Sequence, residues 1–179
     1  MTTAFMLAWP YGIPRIMSSY NWPRKLEKQG DRYIDSNSYI GPPHDSGDHI
    51  LDVKRNPDLS CDSTQWICEH RWHQIYNMVR LRNIAGSEPV ANWWEFNNQI
   101  AFSRGNKAFI AINNDVKPID MTNSTGLPAG TYCDIISGGL IDGKCTGKTL
   151  TVGNDGKAHI FVDNTWEDPM IAFHIKAKI

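Results

Sequence analysis

Thr125-Gly126-Leu127-Pro128-Ala129-Gly130-Thr131-Tyr132-Cys133-Asp134-Ile135-Ile136-Ser137-Gly138 is the stretch on which the reading of this chain turns, and Cys145 lies twelve residues beyond its cysteine. Thr131 to Ser137 reads as a short strand, and the pattern recurs on both sides of it. Gln99 to Ser103 and Ala108 to Asn113 flank Arg104-Gly105-Asn106 as a hairpin would. Lys148 to Val152, His159 to Val162 and Met170 to Ile175 continue the series, with Gly153-Asn154-Asp155-Gly156 as a turn between two of them. Short strands broken by turns predict a β-sandwich.

Towards the N-terminus the period changes. Residues 1–20 read as the end of a helix, a turn at Trp9-Pro10-Tyr11-Gly12, and a strand from Ile13 to Tyr20. Residues 21–60, rich in Gly, Pro and polar side chains, read as a long irregular loop. Cys68 to Ala85 reads as a helix with Trp72, Ile75, Tyr76 and Val79 on its buried stripe, Arg80 and Arg82 near its C-terminal end and Gly86 as its stop. A domain boundary is expected near 86–92.

Composition narrows the function classes. The chain has 179 residues, 41% of them apolar, which suits one domain or a domain with part of another. A net charge of −1 and a pI near 6.6 argue against nucleic acid as a partner. No apolar run is long enough to cross a membrane. Seven Trp could line a sugar site, though packing is the ordinary role of each. The four cysteines fall into two local pairs, and neither spacing is that of a zinc site. Three pairings are open to four cysteines; local pairing is the simplest and implies an oxidising compartment. Met1 to Tyr11 lacks the basic start and cleavage site of a signal peptide. A truncated secreted protein reconciles the two.

Three stretches identify the family that the chain resembles. They are Thr125 to Gly138, Trp66-Ile67-Cys68-Glu69-His70-Arg71-Trp72, and Tyr11-Gly12-Ile13-Pro14-Arg15-Ile16-Met17-Ser18-Ser19-Tyr20. Gly41-Pro42-Pro43, Phe102-Ser103-Arg104-Gly105-Asn106 and Asp155-Gly156-Lys157-Ala158-His159 fall in the same order. Together they resemble the C-terminal portion of animal-type α-amylases, chloride-dependent glycoside hydrolases. The resemblance implies a mixed fold: the last strand and helix of a (β/α)8 barrel, followed by an all-β Greek-key sandwich domain. Residues 1–86 would be the barrel remnant (eighth strand, long loop, eighth helix) and 87–179 the β domain. It also implies disulfides Cys61–Cys68 and Cys133–Cys145.

For function, the resemblance implies a parent enzyme that hydrolyses internal α-1,4-glucosidic bonds of starch and glycogen with retention. Such enzymes use paired carboxyl groups. In this family those sit at the ends of barrel strands four, five and seven, and the words that accompany them, Arg-x-Asp and Asn-His-Asp, do not occur in this chain. No catalytic residue and no metal ligand is assigned here, and the fragment alone is expected to be inactive. Arg15 matches the chloride-binding arginine, whose permanent charge lets it hold an anion that keeps a neighbouring acid protonated. Calcium would be bound in the parent enzyme by ligands outside this chain. Tyr39 would lie beside the substrate cleft. The partners expected are starch and other α-1,4-glucans, without nucleic acid or membrane, for a monomeric extracellular protein.

Weaker signals have ordinary readings. His44-Asp45-Ser46-Gly47-Asp48-His49 contains metal-ligand types at no standard spacing, and reads as a solvated loop. His70 and His73 would share a helix face as packed histidines. Asp163, Glu167 and Asp168 read as loop charges. Asn123-Ser124-Thr125 is a glycosylation sequon in a loop. Trp93 and Trp94 would pack against the barrel's last helix, with a starch-surface site as the other reading. Two other classes stay open for the whole chain: a free-standing carbohydrate-binding or interaction module, and a purely structural disulfide-stapled sandwich.

Overall fold

The computed structural model describes residues 1–37 and 41–179. By packing, the chain divides into two compact units: Met1–Pro14 with His73–Ile179, and Arg15–Trp72. This division does not coincide with the boundary read from the sequence near 86.

The elements are α1 (Thr2–Ala8), β1 (Leu26–Gln29), β2 (Arg32–Asp35), α2 (His73–Ala85), β3 (Val90–Phe96), β4 (Gln99–Arg104), β5 (Ala108–Asn113), β6 (Ile119–Ser124), β7 (Gly130–Cys133), β8 (Leu140–Ile141), β9 (Lys144–Cys145), β10 (Thr149–Val152), β11 (Lys157–Val162) and β12 (Met170–His174). In the larger unit, an antiparallel sheet runs β12-β5-β4-β3, and β11-β6, β10-β7 and β8-β9 form antiparallel pairs. The chain's last strand therefore returns to lie beside β5. Ala101, Phe109, Ala111, Ile171 and Phe173 from the four-stranded sheet meet Ile119, Tyr132, Leu150, Val152, Ile160 and Val162 from the paired strands in one core. β10 and β11 alternate exposed and buried residues, as a sheet wet on one face must. β5 and β12 are buried at every position, because α2 packs on their second face.

The quoted stretch shows why its residue types matter. Thr125 is fully buried; its amide and hydroxyl donate to the Gly156 carbonyl, and its oxygen accepts the Leu127 amide. Gly126 has φ +71°, and a Cβ there would sit 2.3 Å from the Gly105 carbonyl oxygen. The Tyr132 hydroxyl donates to the Pro128 carbonyl at 2.7 Å. Asp134, fully buried, accepts from the amides of Ile136, Ser137 and Ala172 and from the Ser137 hydroxyl. Those bonds end β7 at Cys133. The strand expected to reach Ser137 stops there because a carboxylate that captures its own following amides makes a turn.

Helix α2 also departs from the expected pattern. Its buried residues are Ile75, Asn77, Met78, Leu81 and Ala85, whereas Trp72, Tyr76 and Val79 are exposed. Only Ile75 of the expected stripe is buried. Helix α2 packs against α1, β12 and β5, and the buried residues are those on that side of the helix. A short 3-10 turn, Glu69–Arg71, precedes the helix, so His70 and His73 lie on different elements rather than on one face.

The smaller unit differs in kind. Ile13 to Tyr20, expected as a strand, forms none; Tyr20 makes an isolated bridge to Trp66. A strand exists only where neighbours take up its amides and carbonyls, and this segment has no such ladder beside it. The expected irregular loop of 21–60 contains the β1–β2 hairpin. Elsewhere the segment is built from local turns in which Asp45, Asp58 and Asp62 accept amides a few residues ahead. Disulfides join Cys61 to Cys68 and Cys133 to Cys145.

Candidate functional site

The most elaborate polar construction in the larger unit is a pair of arginines closing the end of α1. Arg104, at the end of β4, is 2% exposed. Its three guanidinium nitrogens donate to the carbonyls of Ala8, Gly86 and Glu88 at 2.7 to 2.8 Å. Arg82 of α2 donates to the carbonyls of Leu7, Trp9 and Gly12. Helix C-termini leave carbonyls without intrahelical partners, and cations favour that end. Burial pushes the Arg104 pKa down, the neighbouring Arg82 charge adds to this, and Glu88 opposes it. Sequence reading placed Arg104 in a hairpin turn; nothing local marks it as the buried anchor.

Around the same helix sits an aromatic cluster. Phe5 stacks on Trp9, Trp93 stacks on Phe102, and Trp9 meets both Trp93 and Phe102 edge-on. Trp93 was expected against the later helix, and packs against the α1 end instead, since Arg82 and Arg104 fix that end beside β3 and β4. Trp94 lies on the opposite side of the sheet, against the main core.

The residues singled out in the sequence are dispersed. Arg15 is exposed. Tyr39 lies outside the described residues. Asn123 is on β6, not in a loop, with its side-chain oxygen accepting the Ser124 amide. His49 contacts Asp45 at 3.2 Å and His44 approaches Asp48 at 3.9 Å, as exposed local pairs. Among the described residues no group of three or more His, Cys, Asp or Glu side chains is arranged to hold a metal ion. No helix among them is long and apolar enough to cross a membrane.

The carboxyl groups show how the acids are used. Asp163 accepts the Thr165 amide and hydroxyl, which hold its pKa below the ordinary range. Asp35, Asp45 and Asp62 are lowered first by backbone amides, and Asp58 first by the Ser60 hydroxyl. Burial pulls Glu69 upward, but the hydroxyl and amide of Ser19 outweigh it. A general acid needs a raised pKa. These six carboxyls are shifted the other way, so they act as turn and loop fasteners. Asp168 accepts from Gln74 of α2 at 2.6 Å.

Residues 93–176 match the family model described as alpha amylase, C-terminal all-beta domain. The chain is 54% identical to an alpha-amylase of Acarus siro and 49% identical to alpha-amylase 2B of Homo sapiens, in both cases over 100% of this chain and 34% of the relative. Wild-type alpha-amylase I of Eisenia fetida, solved by crystallography, matches with TM-score 0.82 and 44% identity over 97% of this chain and 34% of that one. A mutant of the same enzyme, solved as a maltohexaose complex, matches with TM-score 0.80. The chain thus spans about a third of the length of the relatives it matches. Residues 93–176 thus belong to the alpha amylase C-terminal all-beta domain family, and the chain along its whole length matches a C-terminal portion of animal alpha-amylases.

Proposed function

We propose that the chain is the C-terminal part of a secreted, monomeric α-amylase. The whole enzyme hydrolyses internal α-1,4 bonds of starch and related glucans with retention. The observation that carries this is the identity of about half of all residues with animal α-amylases over the full chain. Residues 1–86 supply the eighth strand and helix of a (β/α)8 barrel, and residues 87–179 a Greek-key sandwich. Ile13 (91% exposed) and Met17 (80% exposed) support the first assignment, because such apolar side chains belong under neighbouring strands. Supplying those neighbours would also turn Ile13 to Tyr20 into a ladder strand.

The paired carboxyls that cleave the bond belong to the rest of the enzyme, so the 179-residue chain alone is inactive. Arg15 contributes one charged donor to a chloride site that the closed barrel completes; calcium is held by residues outside this chain. The role of this part is then structural: it closes the barrel and carries the sandwich.

The experiment compares the 179-residue chain with its full-length parent on soluble starch, following new reducing ends and the anomer released. The parent should release α-anomers and the chain nothing; bond cleavage by the chain would overturn its assigned role. In the parent, Arg15→Gln should abolish activation by chloride, and unchanged activation would remove chloride from the account.

A further inference from the structure

A pocket of about 210 Å³ lies between α2 and the C-terminal end of β12, entirely within the larger unit. Its polar lining is His73, Tyr76, Asn77, Arg80, His174 and Lys176. No carboxylate lines it. An open groove beside it shares Tyr76, Arg80 and Lys176 and adds Lys107, again without an acid. None of these three cations forms an ion pair among the described residues.

The arrangement of β12 explains how a histidine comes to be there. Ile171 and Phe173 point into the sandwich core, so by strand alternation His174 belongs to the face that α2 covers. Its side chain is 2% exposed, and its Nδ1 is buried with no hydrogen-bond partner. His73 is already engaged: its Nε2 meets the Gly138 carbonyl at 2.7 Å and its Nδ1 the Tyr76 hydroxyl at 3.0 Å. A buried polar atom without a partner is costly, and native proteins seldom leave one without a reason.

We propose that this pocket binds a small oxyanion, of phosphate or carboxylate chemistry. Arg80 and Lys176 supply the charge at the rim, and His174, through its unpartnered Nδ1, the hydrogen-bond donor. The volume far exceeds the ~15 Å³ that one water needs, and suits a tetrahedral anion with part of its solvation. Guanidinium and ammonium groups without carboxylate partners are the usual phosphate ligands. An anion there also lowers the cost of protonating His174, whose pKa is otherwise pushed down to about 4 by burial and then by Arg80 and, less, Lys176. The inference does not rest on the amylase reading, since neither starch nor the barrel enters it.

The test is a histidine-selective NMR titration of the full 179-residue chain at constant ionic strength, with inorganic phosphate, acetate and neutral maltose in separate arms. Phosphate or acetate should shift the His174 ring resonances saturably and raise its titration midpoint. The His159 ring, exposed and paired to Asp120 at 2.7 Å, should not follow and serves as the control. The arm with the stronger effect separates phosphate from carboxylate. Arg80→Gln and Lys176→Gln, both at exposed positions, should each weaken binding about tenfold or more, the equivalent of losing one charge-assisted contact. Circular dichroism checks that the variants are folded. No response of His174 to either anion, an equal response of His159, or saturation by maltose instead would overturn the proposal.

Discussion

Residues 99–174 and residues 15–72 are held together by different physics, and the second segment is the poorer in apolar and the richer in charged side chains. In the first, alternating apolar side chains close on one another in a common core, and most strands, β5, β6, β7, β10, β11 and β12, have a partner distant in sequence. In the second, only Cys61 and Cys68 are buried among the described residues. Its order comes from carboxylates gripping nearby amides, one hairpin, a few long bonds such as Glu69 to Ser19, and a disulfide. The contrast teaches where stability resides. Each ordered residue costs about 1–2 kcal/mol of backbone entropy. Local hydrogen bonds return roughly 1 kcal/mol each, so without a core a segment of this kind depends on its cross-link.

The sharpest way to break the comparison is to remove core volume. Phe109→Ala, on β5, should cost about 3–5 kcal/mol in denaturant unfolding, since the surrounding strands cannot collapse onto the cavity. No single apolar truncation between 15 and 72 should reach half of that. If one does, that segment has a core after all.

Arg104→Met should come next, at about 3 kcal/mol. It leaves three carbonyls, those of Ala8, Gly86 and Glu88, without their donor. Fluorescence of the Trp9–Trp93 cluster reports whether α1 has detached, and an unchanged spectrum with unchanged stability would refute the clamp.

The disulfides sharpen the contrast between the regions. In the chain-entropy account, losing Cys133–Cys145 costs about 3 kcal/mol and Cys61–Cys68 about 2.5 kcal/mol. The double variant Cys133→Ser/Cys145→Ser should lower the main cooperative unfolding transition. Cys61→Ser/Cys68→Ser should leave that transition nearly in place and expose residues 15–72 to limited proteolysis. Mapping the cleavage sites by mass spectrometry tells the cases apart.

The smallest effect is that of pH. His174 has a folded pKa of about 4, below the ordinary 6.5 of the unfolded chain. Its contribution is therefore intact above about pH 6.5 and is lost as the pH falls towards 4, because the unfolded state binds the proton more readily. Between pH 7 and pH 5 the loss should be about 1–2 kcal/mol, and His174→Gln should flatten it. An equally steep profile in the variant would assign the acid sensitivity to other groups.

Much of the β architecture is legible in the chain because alternation and turn chemistry are local properties. The Gln99 to Asn113 hairpin and the strands near 149, 159 and 170 follow from period-two patterns and their punctuating glycines. The disulfide partners and the family followed from longer words such as Thr125 to Gly138, not from the spacing of cysteines, which left three pairings open. The limits of local reading are equally specific. β6, with Asn123 on it, and the short β8–β9 pair carry too weak a pattern to stand out.

The sequence by itself determined which segments alternate, where turns fall and which family these words belong to, since each depends on residues close together in the chain. Tertiary structure alone decided which side of α2 is buried, because that depends on where α1, β5 and β12 come to lie against the helix. It decided that Arg104 is an anchor and not a turn residue, because the carbonyls it binds lie 16 to 96 positions away. It also decided that His174 faces a basic pocket, a juxtaposition made by α2, β12 and the chain's C-terminal turn that no local pattern encodes.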